Sequence, residues 1–355
     1  MRGKHACKMV MNNIFLNAIQ KQPVPYTPIW MMRQAGRYLP EYRATREKAG
    51  SFLKLCKTPE LACEVTLQPI ERFGFDAAIL FSDILTIPDA MGLGLEFIEG
   101  EGPRFQKKLA SATDIVNLPI PDPERELRYV PDTIRLLKKE LTVPLIGFAG
   151  SPWTIASYML EGGSPGDFKQ SKTLLYNQPE LLHRLLYTLS QAITLYLQAQ
   201  IAAGVDTVML FDSWGGALTE SAYREFSFAY MQEIIHNLRA HHPTIPVILF
   251  SKGSGPWLDL LQTSAAQVIG LDWQTPIHQA RKVLGATHAL QGNLDPAILR
   301  ASDTAIEREV KKILADYGTG SGHIFNLGHG ITPDIAPEKV AHLVHIVKHL
   351  TQQGA

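Results

Sequence analysis

Eight short apolar segments recur along the chain, each bounded by residues typical of turns. Each segment is almost continuously apolar, which is typical of parallel strands covered on both faces, whereas a half-exposed strand alternates polar and apolar residues. The pattern therefore predicts eight buried parallel strands. They cover residues 29–32, 77–81, 144–148, 207–211, 246–250, 268–271, 289–292 and 323–327.

Between these segments, apolar residues recur at helical spacing. The clearest case is a stripe from Leu181 to Ile201 that ends at Gly204. In two units a helix is followed by a Gly-Xaa-Asp turn, at residues 74–76 and 204–206, and then by a strand. Eight successive βα units predict an α/β protein whose parallel sheet closes into a (β/α)8 TIM barrel rather than staying open.

The boundaries of the predicted barrel follow from the segments that lack this pattern. Residues 92–105 (GLGLEFIEGEGPRF) alternate briefly and contain several glycines, so we expect a hairpin excursion after the second strand. Residues 1–20 are predicted to be an N-terminal extension that lacks the apolar segment of a secretory signal. No linker divides the rest, so residues 21–355 are predicted to form a single catalytic domain, a size that barrels reach.

Composition narrows the possible partners. Lysines plus arginines equal aspartates plus glutamates at 34 each, so the overall charge indicates neither a nucleic-acid nor a membrane partner. No apolar run approaches the roughly 20 residues that a membrane-spanning helix needs. Cys7, Cys56 and Cys63 form no CxxC pair, which favours a reducing compartment, and we expect a cytoplasmic protein. An anionic small molecule must then be bound by local charge.

Two arginines follow the first predicted strand, at the end of the barrel where active sites are built. Arg33 and Arg37 would point the same way if the chain turns helically there, forming a fork for carboxylates or phosphates. Gly36 between them permits close backbone approach to a ligand. The alternative is a pair of surface arginines bound to Glu41 or Glu47.

Further candidates lie at other strand ends. Asp83 follows the second strand, where it could act in a site or cap the next helix. Tyr158 lies on the helix after the third strand and could equally be a core or rim aromatic. Ser213 follows the fourth strand, and His329 lies between two glycines after the last, a position that favours function. The remaining polar residues at strand ends are Ser82, Asp212, Ser251, Lys252, Asp272, Asn293, Asp295 and Asn326.

Five segments together resemble the motif set of the uroporphyrinogen decarboxylase family. They are MRQAGRYLPEYR, FSDIL, GSPWTIASYMLEGG, the FDS that ends the fourth strand, and NLGHGI. The resemblance implies a single (β/α)8 barrel, commonly a homodimer, acting in heme biosynthesis without metal or organic cofactor. The implied reaction is a carboxy-lyase reaction that removes the four acetate carboxyl groups of uroporphyrinogen III and gives coproporphyrinogen III.

The resemblance also implies roles for individual residues. Asp83 would balance the positive charge of a pyrrole protonated at its α-carbon, which requires an ionised carboxylate that nearby arginines favour. Arg33 and Arg37 would bind substrate carboxylates, with Tyr158 and His329 near the reacting arm. Arg37 is a proposed proton donor in the family, yet a guanidinium is a poor acid, so His329 or water stays open as donor. The implied substrate-binding residues are Arg33, Gln34, Ala35, Gly36, Arg37, Asp83, Tyr158, Ser213 and His329.

Two other functions stay open at this point. Corrinoid-dependent methyltransferases resemble the same barrel but bind zinc through a histidine and cysteines in the later strands, whereas this chain has no cysteine after Cys63. A noncatalytic tetrapyrrole carrier could use the same fold. Release of carbon dioxide from the substrate would distinguish a carrier from an enzyme.

Overall fold

The computed structural model describes residues 13–98 and 102–352. Within these residues the strands are β1 (Ala78–Ile79), β2 (Leu95–Ile98), β3 (Gly102–Phe105), β4 (Leu145–Gly150), β5 (Thr207–Asp212), β6 (Val247–Ser251), β7 (Val268–Gly270), β8 (Ala289–Gln291) and β9 (His323–Ile324). The helices are α1 (Ile14–Ile19), α2 (Pro40–Ala49), α3 (Phe52–Lys57), α4 (Pro59–Phe73), α5 (Thr86–Pro88), α6 (Ala112–Val116), α7 (Tyr129–Glu140), α8 (Pro152–Glu161), α9 (Lys169–Asn177), α10 (Pro179–Ala203), α11 (Glu220–Tyr223), α12 (Ala229–His241), α13 (Leu258–Gln262), α14 (Ile277–Leu284), α15 (Asp303–Tyr317) and α16 (Pro337–Thr351). Short 3₁₀ or π turns lie at Asp89–Leu93, Gly215–Ala217, Arg224–Phe228, Gly255–Trp257 and Pro296–Arg300.

Seven strands form one parallel sheet in the order β1-β4-β5-β6-β7-β8-β9, as the apolar segments predict. The segment around Ile29 joins its two edges. Ile29 pairs in parallel with Phe325 beside β9, and its carbonyl oxygen accepts a hydrogen bond of 2.9 Å from the Asp76 N–H, just before β1. The curled sheet with its helices confirms the α/β fold class and the TIM-like barrel.

The first predicted strand, residues 29–32, is reduced to that single bridge. Pro28 has no N–H to donate. The N–H of Ile29 donates to an Asp76 carboxylate oxygen at 2.9 Å, and the N–H of Met32 donates to the side-chain oxygen of Asn326 at 3.1 Å. Side chains thus take the places of strand partners, so this segment is extended and bonded without a regular ladder.

Both Gly-Xaa-Asp turns tie a helix end to the start of a neighbouring barrel segment. Gly74 and Gly204 end their helices with positive φ angles of 64° and 115°, which glycine adopts without strain. Asp76 accepts from Ile29 N–H and from the Lys348 ammonium at 3.1 Å. Asp206 likewise accepts from Leu145 N–H at 2.8 Å and from the Lys138 ammonium at 2.7 Å. In both turns the aspartate therefore accepts one hydrogen bond from a backbone N–H of a neighbouring segment and one from a lysine.

The helices and the hairpin also follow the sequence pattern. The predicted stripe lies on α10, where Leu182, Leu189, Ile193 and Leu197 are buried. The predicted excursion is the antiparallel hairpin of β2 and β3, in which Leu95 pairs with Phe105. Among the described residues, no helix has the length and apolar character needed to cross a membrane.

The N-terminal boundary differs in one respect from the expected extension of residues 1–20. Helix α1 begins at Ile14, and its Phe15, Ala18 and Ile19 are buried. Packed structure therefore starts earlier than the predicted boundary. Residues 1–12, which include Cys7, lie outside the described residues, whereas Cys56 and Cys63 are buried free thiols.

The closure of the barrel gives a stability prediction. Asp76 is 1% exposed, and its carboxylate accepts from Ile29 N–H, the Tyr26 hydroxyl and Lys348. The change Asp76→Ala leaves a buried backbone N–H without its acceptor, so we expect the free energy of unfolding to fall by about 2 to 4 kcal/mol. Urea denaturation measures this free energy of unfolding. The matched change Asp132→Ala, at a half-exposed ion pair on α7, should leave the midpoint close to wild type. An equal midpoint for Asp76→Ala would contradict this view of the closure.

Candidate active site

Arg33 has an unusual backbone conformation at the mouth of the barrel. Its φ angle is 62°, in the left-handed region that costs a non-glycine residue about 1 to 2 kcal/mol. Hydrogen bonds on both sides hold it: Gln34 N–H donates to Met31 O at 3.1 Å, and Ile331 N–H donates to Met32 O at 3.1 Å. The surrounding loops therefore fix the position of this arginine, as is common for strained residues in sites.

The side chain of Arg33 lies against the loop that carries His329. A Cβ atom at Gly330 would lie 2.4 Å from Arg33 Cδ and 2.7 Å from its Nε. Only a residue without a side chain leaves room for the arginine to extend along this backbone. The second glycine of the NLGHG segment is thus explained by the position of Arg33.

Neither predicted arginine forms an ion pair with an acid of the described residues, so the surface-pair alternative is not supported. Glu41 is bound instead to Arg72 at 3.0 Å. Both Arg33 and Arg37 are exposed. The condition of a helical turn between them is not met, because the chain forms irregular turns there and α2 begins only at Pro40.

The residues between the two arginines divide into a buried side chain and open backbone. Gln34 is fully buried, and its amide accepts from Met31 N–H and donates to Ala77 O, both at 3.3 Å. Its side chain therefore supports the loop and is not brought to the open face with the others. Among the described residues, no hydrogen bond uses the N–H groups of Ala35 and Gly36. These two donors are available to an anionic ligand.

Asp83 is half-buried after β1, and its side chain is bonded to the turn that follows it. One carboxylate oxygen accepts from Leu85 N–H at 2.8 Å, in the turn before α5. Helix α5 begins at Thr86 and has no side-chain cap, so the capping interpretation is not confirmed. The other oxygen has no hydrogen-bond partner in the described part of the chain. Burial raises the pKa of this carboxyl, while the Leu85 N–H and the Arg33 charge lower it without outweighing burial. Arg33 therefore favours the ionised carboxylate, as expected of a nearby arginine, but burial has the larger effect on this pKa.

Arg37 lies on the loop before α2, and its charge acts on a tyrosine that Asp83 also influences. Burial raises the pKa of the Tyr42 phenol, and among the smaller effects Arg37 lowers it whereas Asp83 raises it. The charges of Arg37 and Asp83 thus both act on the buried phenol of Tyr42. The guanidinium of Arg43 donates to the Arg37 carbonyl at 2.9 Å, and this bond helps to hold the loop.

Tyr158 lies on helix α8, where the charge of Asp83 acts on its phenol. Ser151 caps that helix by accepting from Thr154 N–H at 3.1 Å, a role that serine often takes at a helix N-terminus. Burial raises the pKa of Tyr158, the Asp83 charge adds to the rise, and Trp214 and Arg33 oppose it. Ser213 is half-buried just before Trp214, whose ring centroid lies 6.2 Å from that of Tyr158. The phenol is therefore brought near Asp83, with Ser213 on the adjoining loop.

His329 is half-buried between aromatic rings and two cations. Its ring lies 6.2 Å from Phe250 and 6.3 Å from Trp273, between centroids. Burial, with the charges of Arg33 and Lys252, lowers the pKa of His329 to about 4. The imidazole is therefore neutral at neutral pH in the ligand-free protein.

The sequence places Asp212 at a strand end but does not indicate the role that the structure shows for it. This fully buried carboxylate accepts from four hydroxyl groups, those of Ser151 at 2.6 Å, Thr154 at 2.9 Å, Ser227 at 2.8 Å and Ser251 at 3.0 Å. Burial raises its pKa and these hydroxyls oppose the rise. Asp212 thereby joins the ends of β4, β5 and β6. The signal available in the sequence was an acid followed by Ser213 among other hydroxyl residues at strand ends.

The arrangement suits a ligand of mixed charge. Arg33 acts on Asp83, Tyr158 and His329 together, so these four residues share one electrostatic environment. The carboxylate could stabilise a positive charge on a ligand, while the exposed guanidiniums and open N–H groups could bind negative ones. Among the described residues, no three His, Cys, Asp or Glu side chains converge as a metal site would require.

Comparison with known proteins gives a family match over nearly the whole chain. A family model described as uroporphyrinogen decarboxylase (URO-D) matches residues 11–350. A uroporphyrinogen decarboxylase from Alkalilimnicola ehrlichii is 59% identical over 347 residues, covering 97% of this chain and 95% of that protein. One from Thioalkalivibrio sulfidiphilus is 59% identical over 337 residues, covering 94% and 96%. Among solved structures, a methyltransferase from Methanosarcina mazei has a TM-score of 0.80 at 20% identity, covering 97% of this chain and 99% of its own, and this likeness concerns the fold alone.

The shared electrostatic environment gives a pH prediction. The Arg33 charge is one cause that holds the pKa of His329 at about 4, so Arg33→Met should raise that pKa. It should stay below the ordinary value of 6.5, because burial is the larger cause and persists. Nuclear magnetic resonance of the imidazole protons measures it, with His329→Gln to assign the signal. The control Arg308→Met, on exposed α15, should leave the titration unchanged. An unshifted His329 in Arg33→Met would contradict the proximity of the two groups.

Proposed function

This chain belongs to the uroporphyrinogen decarboxylase family, and from that membership we propose that it is a carboxy-lyase acting on uroporphyrinogen III. It removes the four acetate carboxyl groups as carbon dioxide and gives coproporphyrinogen III in tetrapyrrole biosynthesis. The near full-length similarity carries the assignment. The half-buried carboxylate of Asp83, on which the charge of Arg33 acts, gives independent chemical support for this assignment.

The reaction needs a place for an electron pair. When the bond between an acetate methylene and its carboxyl breaks, its two electrons move into a pyrrole ring that has been protonated at the α-carbon. A proton then adds to the methylene to give a methyl group, and the α-carbon releases its proton. The net change at each arm is the loss of carbon dioxide and the uptake of one proton. The substrate is its own electron sink, so the protein must favour the cationic pyrrole.

Asp83 is the residue that we assign to this task. Its oxygen without a hydrogen-bond partner can face the pyrrole N–H groups, while the other oxygen is fixed by Leu85 N–H at 2.8 Å. The raised pKa of the free carboxyl reflects its poor contact with water, and a charge developing on a ligand is stabilised more strongly in such a site. A cationic pyrrole beside it would in turn lower the pKa of Asp83 and keep it ionised.

The arginine loop binds the acidic rim of the macrocycle in this proposal. Arg33 and Arg37 donate to side-chain carboxylates, and the backbone N–H groups of Ala35 and Gly36 add neutral donors. Each charge-assisted hydrogen bond contributes roughly 1.5 to 3 kcal/mol. The absence of an acid partner for either arginine within the described residues supports this role. Gln34, whose amide is used internally, is assigned to holding the loop.

Tyr158, Ser213 and His329 contact the substrate near the reacting arm in this proposal. His329 is neutral in the free protein, since its pKa is about 4, so it carries no stored proton at neutral pH. A bound carboxylate would raise that pKa and allow His329 to take up a proton. Arg37 is assigned to binding a substrate carboxylate rather than to donating the proton.

We also propose a cytoplasmic homodimer without nucleic-acid or membrane partners. The family resemblance supports the dimer. Because acidic and basic residues are equal in number, the protein has no net positive charge to attract a polyanionic partner. Its three cysteines form no CxxC pair, which supports a reducing compartment.

Anaerobic incubation with uroporphyrinogen III tests the proposed reaction. Separation of the products by carboxylate number should show loss of the octacarboxylate, passage through species with seven, six and five carboxylates, and accumulation of the tetracarboxylate. Unchanged octacarboxylate with tight binding would instead support a carrier. Unchanged octacarboxylate without binding would contradict both.

The electrostatic role of Asp83 predicts a large effect on turnover. Asp83→Asn keeps the shape and the contact to Leu85 N–H but removes the negative charge, so kcat should fall roughly a hundredfold to a thousandfold. Stopped-time anaerobic assays measure kcat, and circular dichroism checks the fold. Asp132→Asn on α7 is the matched control and should turn over normally. Near-normal kcat in Asp83→Asn would remove the proposed role.

The binding role of Arg37 predicts an effect on substrate affinity. Arg37→Ala deletes an exposed guanidinium that has no ion pair among the described residues, so its loss should barely change stability. We expect KM to rise roughly ten- to a hundredfold through loss of a charge-assisted bond. The control Arg308→Ala removes an exposed arginine from α15 and should leave KM unchanged. If Arg37→Ala has wild-type kcat and KM, this residue is a surface arginine.

A further inference from the structure

Lys252 is a cation at the barrel mouth, immediately after β6, that neither the motif resemblance nor the strand-end analysis assigned to substrate. We propose that its ammonium binds a peripheral carboxylate of the substrate, opposite the arginine loop. The inference rests on the proposed function for the identity of that substrate. It makes Lys252 a further substrate-positioning residue.

Strand order places Lys252 across the barrel from Arg33 and Arg37. The arginines follow the Ile29 segment, which lies between β9 and β1. Counting from that segment, β6 is the fourth strand along β1, β4, β5 and β6, and also the fourth along β9, β8, β7 and β6. A wide molecule with carboxylates around its whole rim needs cations on opposite sides, and Lys252 follows the strand opposite the segment that leads into the arginine loop.

The ammonium of Lys252 lies between two aromatic side chains of the site wall. Its Nζ is 5.8 Å from the ring centroid of Trp214 and 5.5 Å from that of Trp273. Trp214 neighbours Tyr158, and Trp273 neighbours His329, with ring centroids 6.2 Å and 6.3 Å apart. Lys252 therefore stands between two residues already assigned to the site, and its charge lowers the pKa of His329.

The backbone around Lys252 is held firmly. Its N–H donates to Asp212 O at 3.1 Å, and its carbonyl accepts from Gly216 N–H at 2.8 Å. The next N–H, of Gly253, donates to the Asp272 carboxylate. A Cβ atom at Gly216 would lie 2.7 Å from Gly253 Cα, so the two loops touch through glycine backbone. These contacts fix the backbone from which the lysine side chain extends, so this part of the site needs no ordering when a ligand binds.

The nearby acids are engaged elsewhere, which leaves this cation without a counter-ion among the described residues. Asp272 accepts from Gly253 N–H, Gln274 N–H and both the N–H and the hydroxyl of Thr275. Asp212 is surrounded by four hydroxyls. By contrast, Lys138 is half-buried with an acid at 2.7 Å. A half-buried ammonium held only by aromatic faces is suited to receive an anion.

The competing interpretation is that Lys252 only packs its methylene groups on the two tryptophans. Lys252→Met keeps that packing and removes the charge, whereas Lys252→Arg keeps the charge. Lys139→Met, on the exposed surface of α7, is the matched control for loss of one lysine charge.

The binding role predicts a separation of KM from kcat. In Lys252→Met we expect KM for uroporphyrinogen III to rise roughly tenfold or more, as for loss of one charge-assisted bond, with kcat changed less than about threefold. Lys252→Arg should recover most of the affinity, and Lys139→Met should match wild type. A purely structural role would lower the unfolding midpoint without this split and without recovery in Lys252→Arg. Wild-type KM in Lys252→Met would overturn the inference.

A binding measurement separates this inference from the proposed function. Uroporphyrin III, the oxidised octacarboxylate, reports binding by fluorescence without turnover, and Lys252→Met should bind it roughly tenfold more weakly than wild type. If the wild-type protein leaves uroporphyrinogen III unchanged but Lys252→Met still loses affinity for uroporphyrin III, the reaction is refuted and the carboxylate-binding role stands. If wild type turns over and Lys252→Met binds and reacts like it, the role of Lys252 is refuted and the reaction stands.

Discussion

The site depends on one carboxylate that is removed from most of its water yet kept within reach of a guanidinium. Burial raises the pKa of Asp83, and the Leu85 N–H and the Arg33 charge counteract it. Arg33 can do so because its left-handed backbone is held by neighbouring hydrogen bonds and its side chain lies along Gly330. The strand segment before it is fixed in turn by the buried Asp76. The hydrogen bonds of Asp76 that close the barrel therefore also help to fix Arg33, whose charge acts on Asp83.

Charge is distributed across this site in a way that a small symmetric anion would not require. One carboxylate lies after β1, the charge of Arg33 acts on it, Arg37 follows on the same loop as Arg33, and in our proposal a lysine lies on the opposite wall. Such an arrangement matches a molecule whose centre becomes cationic while its rim stays anionic. The protein stores no proton on His329 at neutral pH, so proton delivery depends on what the bound ligand does to that imidazole.

The barrel and most of the site could be predicted from the sequence because parallel strands buried on both faces are nearly continuous apolar runs, and polar residues at their ends converge at one mouth. Asp83 and His329 were visible for this reason. The position of the Gln34 amide was not, since burial and its bonds to Met31 and Ala77 depend on a folded loop. The first strand was overestimated because side chains of Asp76 and Asn326, distant in sequence, replace its ladder partners. Lys252 was noted at its strand end, but its isolation from acids and its place opposite Arg33 exist only in three dimensions.

The central claim is that Asp83 is an ionised carboxylate while a tetrapyrrole occupies the site. Infrared difference spectroscopy of the anaerobic complex with coproporphyrinogen III at neutral pH tests it directly, with Asp83→Asn used to identify the band. The account predicts that the band lost in the variant is that of an ionised carboxylate. A band of a protonated carboxyl group in the complex would contradict it, because a neutral Asp83 could not balance a cationic pyrrole.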